Sequence, residues 1–327
     1  MTVTENIQSA FLDQVKKRLP PNISLADELA EVLAISRDSA YRRIRGETVL
    51  SLDEVRALCI QYGISVDSII SGSAEMVSFH YRMVDSHNFT FDKWLKSILN
   101  NLETLTPFPD KQVIYFAKDV PVFYYFNSPL LGPFKMFFWM NSVLRNEDFR
   151  GVKFSPDLVS RALIAVGEKI WKRYTETPRI EIWSEETMIV TLRQIEFYHE
   201  CGFFADPKYA TQLCEEYLLL FKEIRSWAAV GYKDKPEHRF NLYKNDLLIA
   251  DNTIFFRMGD KRMTFIPYNT MNILTTTNEA FCKQTEDYLV NLTSKSILIS
   301  TTGEKDRNKF FNLIEDRIQQ TRSRLKY

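Results

Sequence analysis

The sequence predicts a small all-α domain at the N-terminus, followed by a larger α/β (α+β) C-terminal region rich in helices. Three observations lead to this prediction. Short helical patterns interrupted at regular intervals fill residues 5–70, and apolar strands alternate with helices after residue 90. At 327 residues the chain is also too long for one small core. Its 45% hydrophobic and 26% charged residues are typical of globular proteins.

The small polar stretch SGSAE, residues 71–75, is typical of a linker between domains. We therefore expect an N-terminal domain over residues 1–75. Residues 76–235 are predicted to form a mainly helical middle region with a few strands, and residues 236–327 an α/β C-terminal region. These last two stretches either form separate domains or join in one. The boundary between them is the charged, proline-bearing break YKDKPEH, which starts at residue 232.

The N-terminal domain contains clear signals for helix starts and ends. Ser24 and Ser36 each precede apolar residues at helical spacing, as N-cap residues do. Gly46 follows the second of these helices, where glycine commonly ends a helix. One helix over about residues 25–33 thus joins another over about residues 37–45 through a three- or four-residue connection. This arrangement is typical of a helix-turn-helix.

The segment SLADELAEVLAISRDSAYRRIRGETVLSLDEVRALCIQYGISVDSII resembles the Cro/C1-type (XRE-like) DNA-binding domain of bacterial and phage regulators. The shared features are the pair Leu29-Ala30, the turn at Ile35-Ser36, Gly46, and the helix LSLDEVRALCIQYGIS that follows. The resemblance covers about residues 5–70 and implies a five-helix fold. It also implies a bacterial, sequence-specific transcriptional regulator that binds double-stranded DNA.

Two positions depart from the family pattern. Family members often carry glutamine where Ala26 stands, and this glutamine helps to hold a phosphate. Arg43 stands at a position of the second helix that is usually apolar, and Ile44 takes the apolar role instead.

Four arginines fall within ISRDSAYRRIRGE, residues 35–47, although the formal net charge of the chain is zero. The planar guanidinium group binds guanine O6 and N7, or a phosphate, with two parallel hydrogen bonds. The alternative is that the four arginines are simply the charged face of an exposed helix, but the helix-turn-helix context favours DNA contact. The candidate DNA-contacting residues are Ser36, Arg37, Asp38, Ser39, Tyr41, Arg42, Arg43 and Arg45.

The resemblance also implies how these residues divide their roles, because the start of the second helix lies nearest the bases. Arg37, Asp38, Ser39 and Arg42 are the candidates for base contacts, whereas Arg43 and Arg45 are expected to hold phosphates. Tyr41 is expected to pack on sugar or backbone. Asp38 either accepts a hydrogen bond from cytosine N4 or orients one of the neighbouring arginines.

The charge of the N-terminal domain predicts a second copy of the chain. Residues 1–75 contain eight Lys and Arg against eleven Asp and Glu, a net charge of −3. About four to six phosphate contacts from one copy release too few counterions for tight binding. We therefore expect a homodimer, built by the C-terminal region, that places two helices on half-sites about 34 Å apart.

Sets of catalytic residues are scarce in the remaining chain. His199 and Cys201 form the nearest approach to a metal motif, and no second pair follows at ligand spacing. We therefore expect no enzymatic activity, metal or cofactor. Two other functions stay open for the C-terminal region: an enzyme or signalling module that DNA binding localises, and a protein-interaction domain.

A weaker candidate site for a small-molecule effector lies where the strand SILIS leads into the last helix. Backbone N–H groups at a helix start, with cationic side chains nearby, attract anions. The alternative interpretation is that this stretch is an ordinary turn and helix cap with no ligand. The residues are Thr301, Thr302, Gly303, Lys305 and Arg307.

The most apolar segment is PVFYYFNSPLLGPFKMFFWM, residues 121–140. Lys135, two polar residues and three prolines within it argue against a membrane span. Its aromatic residues are expected to form core, a dimer interface, or a pocket for an apolar or aromatic effector. With no apolar leader pattern and four dispersed cysteines, we expect a cytoplasmic protein with reduced thiols.

Further elements of the C-terminal region follow from local patterns. Strands are predicted at QVIYF, VPVFYYF, LLIAD, NTIFFRM, RMTFIPY and SILIS, with a hairpin turn at Gly259-Asp260. Helices are predicted at TFDKWLKSILNNLETL, after each of the starts Ser155-Pro156-Asp157, Ser184-Glu185-Glu186 and Asp206-Pro207, at about residues 279–292, and at the end of the chain.

Overall fold

The structure is a computed structural model that describes residues 6–20, 23–64, 66, 69, 76–81, 90–246 and 251–325. The chain divides into two compact units, Met1–Ser78 and Phe79–Tyr327. The expected linker SGSAE lies outside the described residues. So do LLIAD except its last residue and, except for residues 66 and 69, the segment SVDSII, for which the sequence predicts a last short turn.

The described part of the N-terminal unit is entirely helical. Its helices are α1 (Ile7–Arg18), α2 (Leu25–Val32), α3 (Arg37–Ile44) and α4 (Leu52–Tyr62). Each helix contributes apolar side chains to one small core, whose buried members are Phe11, Leu12, Val15, Leu29, Ala40, Leu50, Leu58 and Ile64. Burial of this shared core holds the four short helices together, because isolated helices of eight to twelve residues are marginal in water.

Several predicted helix signals of this unit are confirmed. The Ser36 hydroxyl accepts a hydrogen bond from the Ser39 backbone N–H at the start of α3. Ser24 occupies the N-cap position of α2, but its side chain makes no capping hydrogen bond. Gly46 lies one residue beyond the C-cap Arg45, with a φ of 75° that favours glycine.

The C-terminal unit is built on one eight-stranded mixed sheet with the order β1-β7-β6-β5-β2-β3-β4-β8. The pairs β2–β3 and β3–β4 are parallel, and the other neighbours are antiparallel. Strands from both sides of residue 236 therefore share the sheet. The strands are β1 (His80–Tyr81), β2 (Lys111–Ala117), β3 (Arg179–Trp183), β4 (Phe240–Lys244), β5 (Thr253–Met258), β6 (Lys261–Tyr268), β7 (Asn272–Thr276) and β8 (Ile297–Leu298).

The helices of this unit cover both faces of the sheet. They are α5 (Phe91–Glu103), α6 (Leu131–Phe138), α7 (Arg161–Glu176), α8 (Ile189–Glu200), α9 (Lys208–Val230), α10 (Glu279–Ser294) and α11 (Glu304–Arg324). A 3₁₀ helix spans Val122–Asn127, and a π-helical turn, Trp139–Val143, continues α6. None of the helices in the described residues has the length and apolar character that a membrane crossing needs.

Alternating side chains of the strands belong to two cores. Val113 and Tyr115 of β2 face the large core formed with most of the helices, whereas Ile114 and Phe116 face the small core against α10. The period-2 alternation of a strand thus explains why residues 113–117 are apolar without interruption, since both faces of the strand are buried there.

Three of the predicted elements are wrong in type or in start. VPVFYYF is not a strand but forms the 3₁₀ helix, whose consecutive residues Phe123, Tyr124, Tyr125 and Phe126 are all buried. A run that is buried on every side lacks the periodicity that separates helix from strand. Ser155-Pro156-Asp157 starts only a 3₁₀ turn, and α7 begins after Ser160. Ser184-Glu185-Glu186 likewise forms a turn, and α8 begins after Met188.

Candidate functional sites

The exposed face of α3 carries most of the predicted DNA-contacting residues. Ala40 is buried and Ile44 packs against the core, so the opposite side of the helix faces solvent. The exposed side chains are Arg37, Asp38, Tyr41 and Arg42, with Ser36 before the helix and Arg45 after it. Because residues three and four apart share a helix face, these side chains form one continuous surface. We call the three exposed arginines, Arg37, Arg42 and Arg45, the arginine surface.

Arg37 is held by an acid on the preceding helix. Its guanidinium binds Asp27 of α2 through two nitrogens, at 2.5 Å from Nε to Oδ1 and 2.7 Å from Nη2 to Oδ2. The Arg37 side chain nevertheless remains 63% exposed. Two of the five guanidinium N–H groups are thus used, and three remain for a ligand on the solvent side.

The other two arginines of this surface also lie beside acids. Arg42 Nε lies 3.3 Å from Asp38 Oδ2, one helical turn earlier. Arg45 donates hydrogen bonds of 2.6 and 3.0 Å to Glu47. Of the partners that the sequence left open for Asp38, this structure places the carboxylate beside Arg42.

Arg43 differs from its neighbours because it points into the N-terminal unit. Its side chain is only 15% exposed and binds Glu54 of α4 at 2.7 and 3.1 Å, while Nη1 donates to the Ser39 carbonyl. Although desolvation opposes the shift, hydrogen bonds from Arg43 and Ser51 lower the pKa of Glu54. The same carboxylate completes the capping box of α4 with Ser51. Arg43 thus joins α3 to the start of α4.

Gln8, which belongs to no recognisable sequence motif, fixes the segment after α3. The Gln8 amide donates to the carbonyls of Arg43 and Thr48, both at 2.8 Å, and its oxygen accepts from the Leu50 N–H at 2.9 Å. One side chain of α1 thereby satisfies three backbone groups. The only signal in the sequence is a polar residue on the inner side of an amphipathic helix.

The connection between α2 and α3 is a tight turn with a backbone conformation unusual for its sequence. Ala34 has a φ of 51°, in the left-handed region that favours glycine. The Ile35 N–H closes the turn on the Ala30 carbonyl at 3.0 Å. This turn sets where α3 starts, and with it the position of Arg37.

The predicted effector residues lie at the start of α11. Arg307 is buried there and donates to the carbonyls of Ile299 and Thr301 at 3.2 and 3.1 Å, so its guanidinium closes the turn. A Cβ at Gly303 would collide with the Leu298 carbonyl, which explains the glycine. Thr301, Thr302 and Lys305 are exposed.

A fully buried ion pair lies in the core of the C-terminal unit. Arg179 Nε lies 3.1 Å from Glu181 Oε1, and both side chains have no exposed surface. The same carboxylate accepts hydrogen bonds from Tyr124 at 2.5 Å, Tyr174 at 2.8 Å and Trp183 at 2.9 Å. Burial raises the pKa of Glu181, and these donors together with Arg179 oppose the shift.

A cavity of about 410 Å³ lies on the large-core side of the sheet. Its walls come from α5, α6, α8, the π-helical turn and strands β2, β5, β6 and β7. Of the predicted aromatic segment, Phe123, Phe138 and Trp139 line it. Tyr124, Tyr125, Phe126 and Phe137 belong to the surrounding core.

Comparisons with known proteins identify no relative: no family model matches the sequence, and neither a curated protein nor a solved structure is significantly similar to it. Within the described parts of the chain, no group of three or more His, Cys, Asp or Glu side chains comes together as metal ligands would.

Proposed function

We propose that the chain is a sequence-specific DNA-binding transcriptional regulator whose N-terminal unit contacts double-stranded DNA through α3. The observation that supports this function best is the division of α3 into two faces. Ala40 and Arg43 tie the helix to the rest of the unit, while Arg37, Tyr41 and Arg42 project from the other side. A helix fixed from behind, with arginines in front, suits insertion into a major groove.

In this proposal the acid beside each arginine has a defined role. Asp27 holds the Arg37 guanidinium in one orientation, which reduces the conformational entropy that base contact would cost. Asp38 has the corresponding role for Arg42. Arg43 acts in this scheme as a positioning residue for α3, whereas Arg45 at the helix end holds a phosphate.

The proposal is tested by DNA binding of the full chain. A binding sequence is first selected from a random pool of double-stranded DNA, and affinity is then measured by fluorescence anisotropy. Arg37→Ala and Arg42→Ala should each weaken binding about 10-fold or more, because one bidentate base contact is worth about 1–3 kcal/mol. Arg56→Ala removes an exposed arginine of α4 and serves as the matched control, with little expected change. Wild-type affinity of both α3 variants in moderate salt would contradict the proposal.

We further propose that two copies bind together, through dimerisation of the C-terminal unit. The acids that accompany the arginine surface lower the net positive charge that one copy offers to phosphates. Two linked copies add their contacts on adjacent half-sites. Light scattering at micromolar concentration should give the mass of a dimer, and a monomer would contradict this part of the proposal.

A further inference from the structure

We propose that the cavity in the C-terminal unit binds a small organic anion, a carboxylate on an apolar aliphatic or aromatic body, with the carboxylate on Lys135. The assignment does not depend on DNA binding. It follows from the cavity's size and lining, from the surroundings of Lys135, and from the packing of one wall.

The size and lining of the cavity fit a small apolar molecule. Its volume of about 410 Å³ lies within the range of known ligand sites. Phe256 and Phe265 of the sheet lie on one side, and Ile98 and Leu102 of α5 on another. Among the described residues that line it, Thr270, in the turn between β6 and β7, is exposed.

Lys135 is the charged group buried most deeply in this lining. Lys135 is only 2% exposed. Its Nζ donates hydrogen bonds to Gln194 Oε1 at 2.7 Å and to Thr191 Oγ1 at 3.2 Å. Both partners are neutral, and no described carboxylate lies within 4 Å of the ammonium group. An ammonium group has three N–H donors, so one remains for a ligand in the cavity.

Burial of this cation also lowers its pKa. Desolvation lowers the pKa of Lys135 to about 8, against a weaker opposing effect of Asp119. At neutral pH the ammonium form therefore still predominates. The rings of Tyr125 and Trp139 face the cation at 4.7 and 5.8 Å from their centroids, which stabilises it only in part. A carboxylate in the cavity would supply the missing opposite charge.

Asp119 also lines the cavity, but its position differs from that of Lys135. It is half-buried, and its Oδ1 accepts a hydrogen bond of 2.7 Å from Asn252. The acid thus already has a side-chain donor and some contact with solvent, whereas the lysine is enclosed. This difference favours an anion as the ligand over a cation.

One wall of the cavity is made of packed aromatic rings and includes an irregular helix. Trp139 begins the π-helical turn after α6, a feature that often occurs at functional sites. Its ring packs against Trp94 at 5.4 Å and Phe91 at 6.1 Å between centroids. The Trp94 indole N–H donates to the Met271 carbonyl at 2.9 Å, which ties α5 to the turn before β7. Such a preorganised aromatic wall reduces the entropy lost on binding.

The proposal is tested with three probes that share one apolar body: decanoate, decanol and decylamine. Binding to the full chain is followed at pH 7 by tryptophan fluorescence, since Trp94 and Trp139 line the cavity. We expect decanoate to bind about 10- to 100-fold more tightly than decanol, from a charge-assisted hydrogen bond, and decylamine to bind most weakly. Equal or tighter binding of decanol or decylamine, or no binding of any probe, would overturn the proposal.

Two variants separate the role of Lys135 from general damage to the fold. Lys135→Met should still bind decanol but lose the preference for decanoate, whereas Lys96→Met, which removes an exposed lysine of α5, should keep that preference. A Lys135→Met protein that still prefers decanoate would overturn the assignment.

A second pair of probes tests an aromatic body and a zwitterion. We expect 3-phenylpropanoate to bind with the same dependence on Lys135 as decanoate, measured by calorimetry. Phenylalanine adds an α-amino group to that body and should bind more weakly, because it brings a second charge into an apolar site. Tighter binding of phenylalanine would overturn the proposal in favour of a zwitterion held by both Lys135 and Asp119.

Discussion

The arginine surface of the N-terminal unit and Lys135 in the cavity of the C-terminal unit differ in burial and in the charge of the groups beside them. Arg37, Arg42 and Arg45 are exposed, and each has an acid beside it. Lys135 is buried, and its hydrogen-bond partners among the described residues are neutral. Water already stabilises an exposed cation, so the acids beside these arginines are not required to stabilise the positive charge.

The comparison shows that burial alone does not decide which cations of this chain have an acid beside them. In the proposed contact with DNA, the acids beside the exposed arginines fix the orientation of the guanidinium groups and limit their attraction for any polyanion. In the proposed anion site, the buried Lys135 instead keeps one N–H donor for a ligand. The pair of Arg179 and Glu181 shows that the same unit can neutralise a buried cation internally, with both side chains fully buried.

The largest effect should come from breaking that internal pair. Arg179→Met should lower the free energy of unfolding of the C-terminal unit by about 3–5 kcal/mol, because it leaves the Glu181 carboxylate buried without its cation. All five tryptophans lie in residues 94–227, so tryptophan fluorescence during urea unfolding reports on this unit alone. The double variant with Glu181→Leu should recover much of the loss. A single variant as stable as wild type would show that the pair is not needed.

Lys135→Met should change the free energy of unfolding in the opposite direction to Arg179→Met, and by a smaller amount. A pKa of about 8 against the ordinary 10.5 means that the buried charge destabilises the fold. Its removal should raise the free energy of unfolding by about 1–3 kcal/mol, because the gain is reduced by the hydrogen bonds that Thr191 and Gln194 lose. A fall in stability would instead mark Lys135 as a structural residue.

The higher stability expected for Lys135→Met should depend on pH, because the folded and unfolded states of wild type release the Lys135 proton at different pH values. Below pH 8 both the folded and unfolded states carry the charge, so wild type bears the full cost. Between about pH 8 and pH 10.5 the folded state releases its proton first, and wild-type stability rises with pH relative to Lys135→Met. The facing groups Asp119, Tyr115 and Tyr125 are the same in both proteins, so the difference between the two unfolding curves isolates Lys135.

The smallest effect concerns the acids of the arginine surface. Asp27→Asn should raise affinity for random DNA about 2- to 5-fold at low salt, because a negative charge near the phosphates is lost. Discrimination in favour of the selected sequence should fall at the same time, since Arg37 loses its orienting partner. Asp53→Asn on α4 is the matched control. Anisotropy measured on both DNAs with each variant would show whether Asp27 orients Arg37 or only repels DNA.

The N-terminal helices were predictable because their signals are local. Ser36 and its hydrogen bond to Ser39, and the apolar spacing of Ala40 and Ile44, belong to short stretches of sequence. The inward direction of Arg43 left one signal, since this position is usually apolar in the family that the segment resembles, but its partner Glu54 on another helix was not predictable. A charged residue in a helix is ordinarily assigned to the surface, and its partner appears only after folding.

One strand of the C-terminal unit was not predicted because the core there contains charges. The strand β3, residues 179–183, was missed because Arg179 and Glu181 occupy buried positions. Charged residues at such positions resemble those of an exposed segment. Lys135 did leave a signal, as a single lysine within the apolar stretch of residues 121–140. Its proximity to Gln194 and Asp119 in one cavity required the tertiary structure.

The strand order of the sheet has a consequence for how the chain folds during synthesis. The central strand β2 pairs with β5 so that Val113 lies opposite Phe256, whereas the described contacts of the N-terminal unit join residues within its own short length. Pairing of distant segments is slow, and it must wait until the later strand has left the ribosome. We expect the N-terminal unit to fold first, while the apolar β2 awaits its partner. Chaperones that bind exposed apolar segments would therefore act on the middle of this chain.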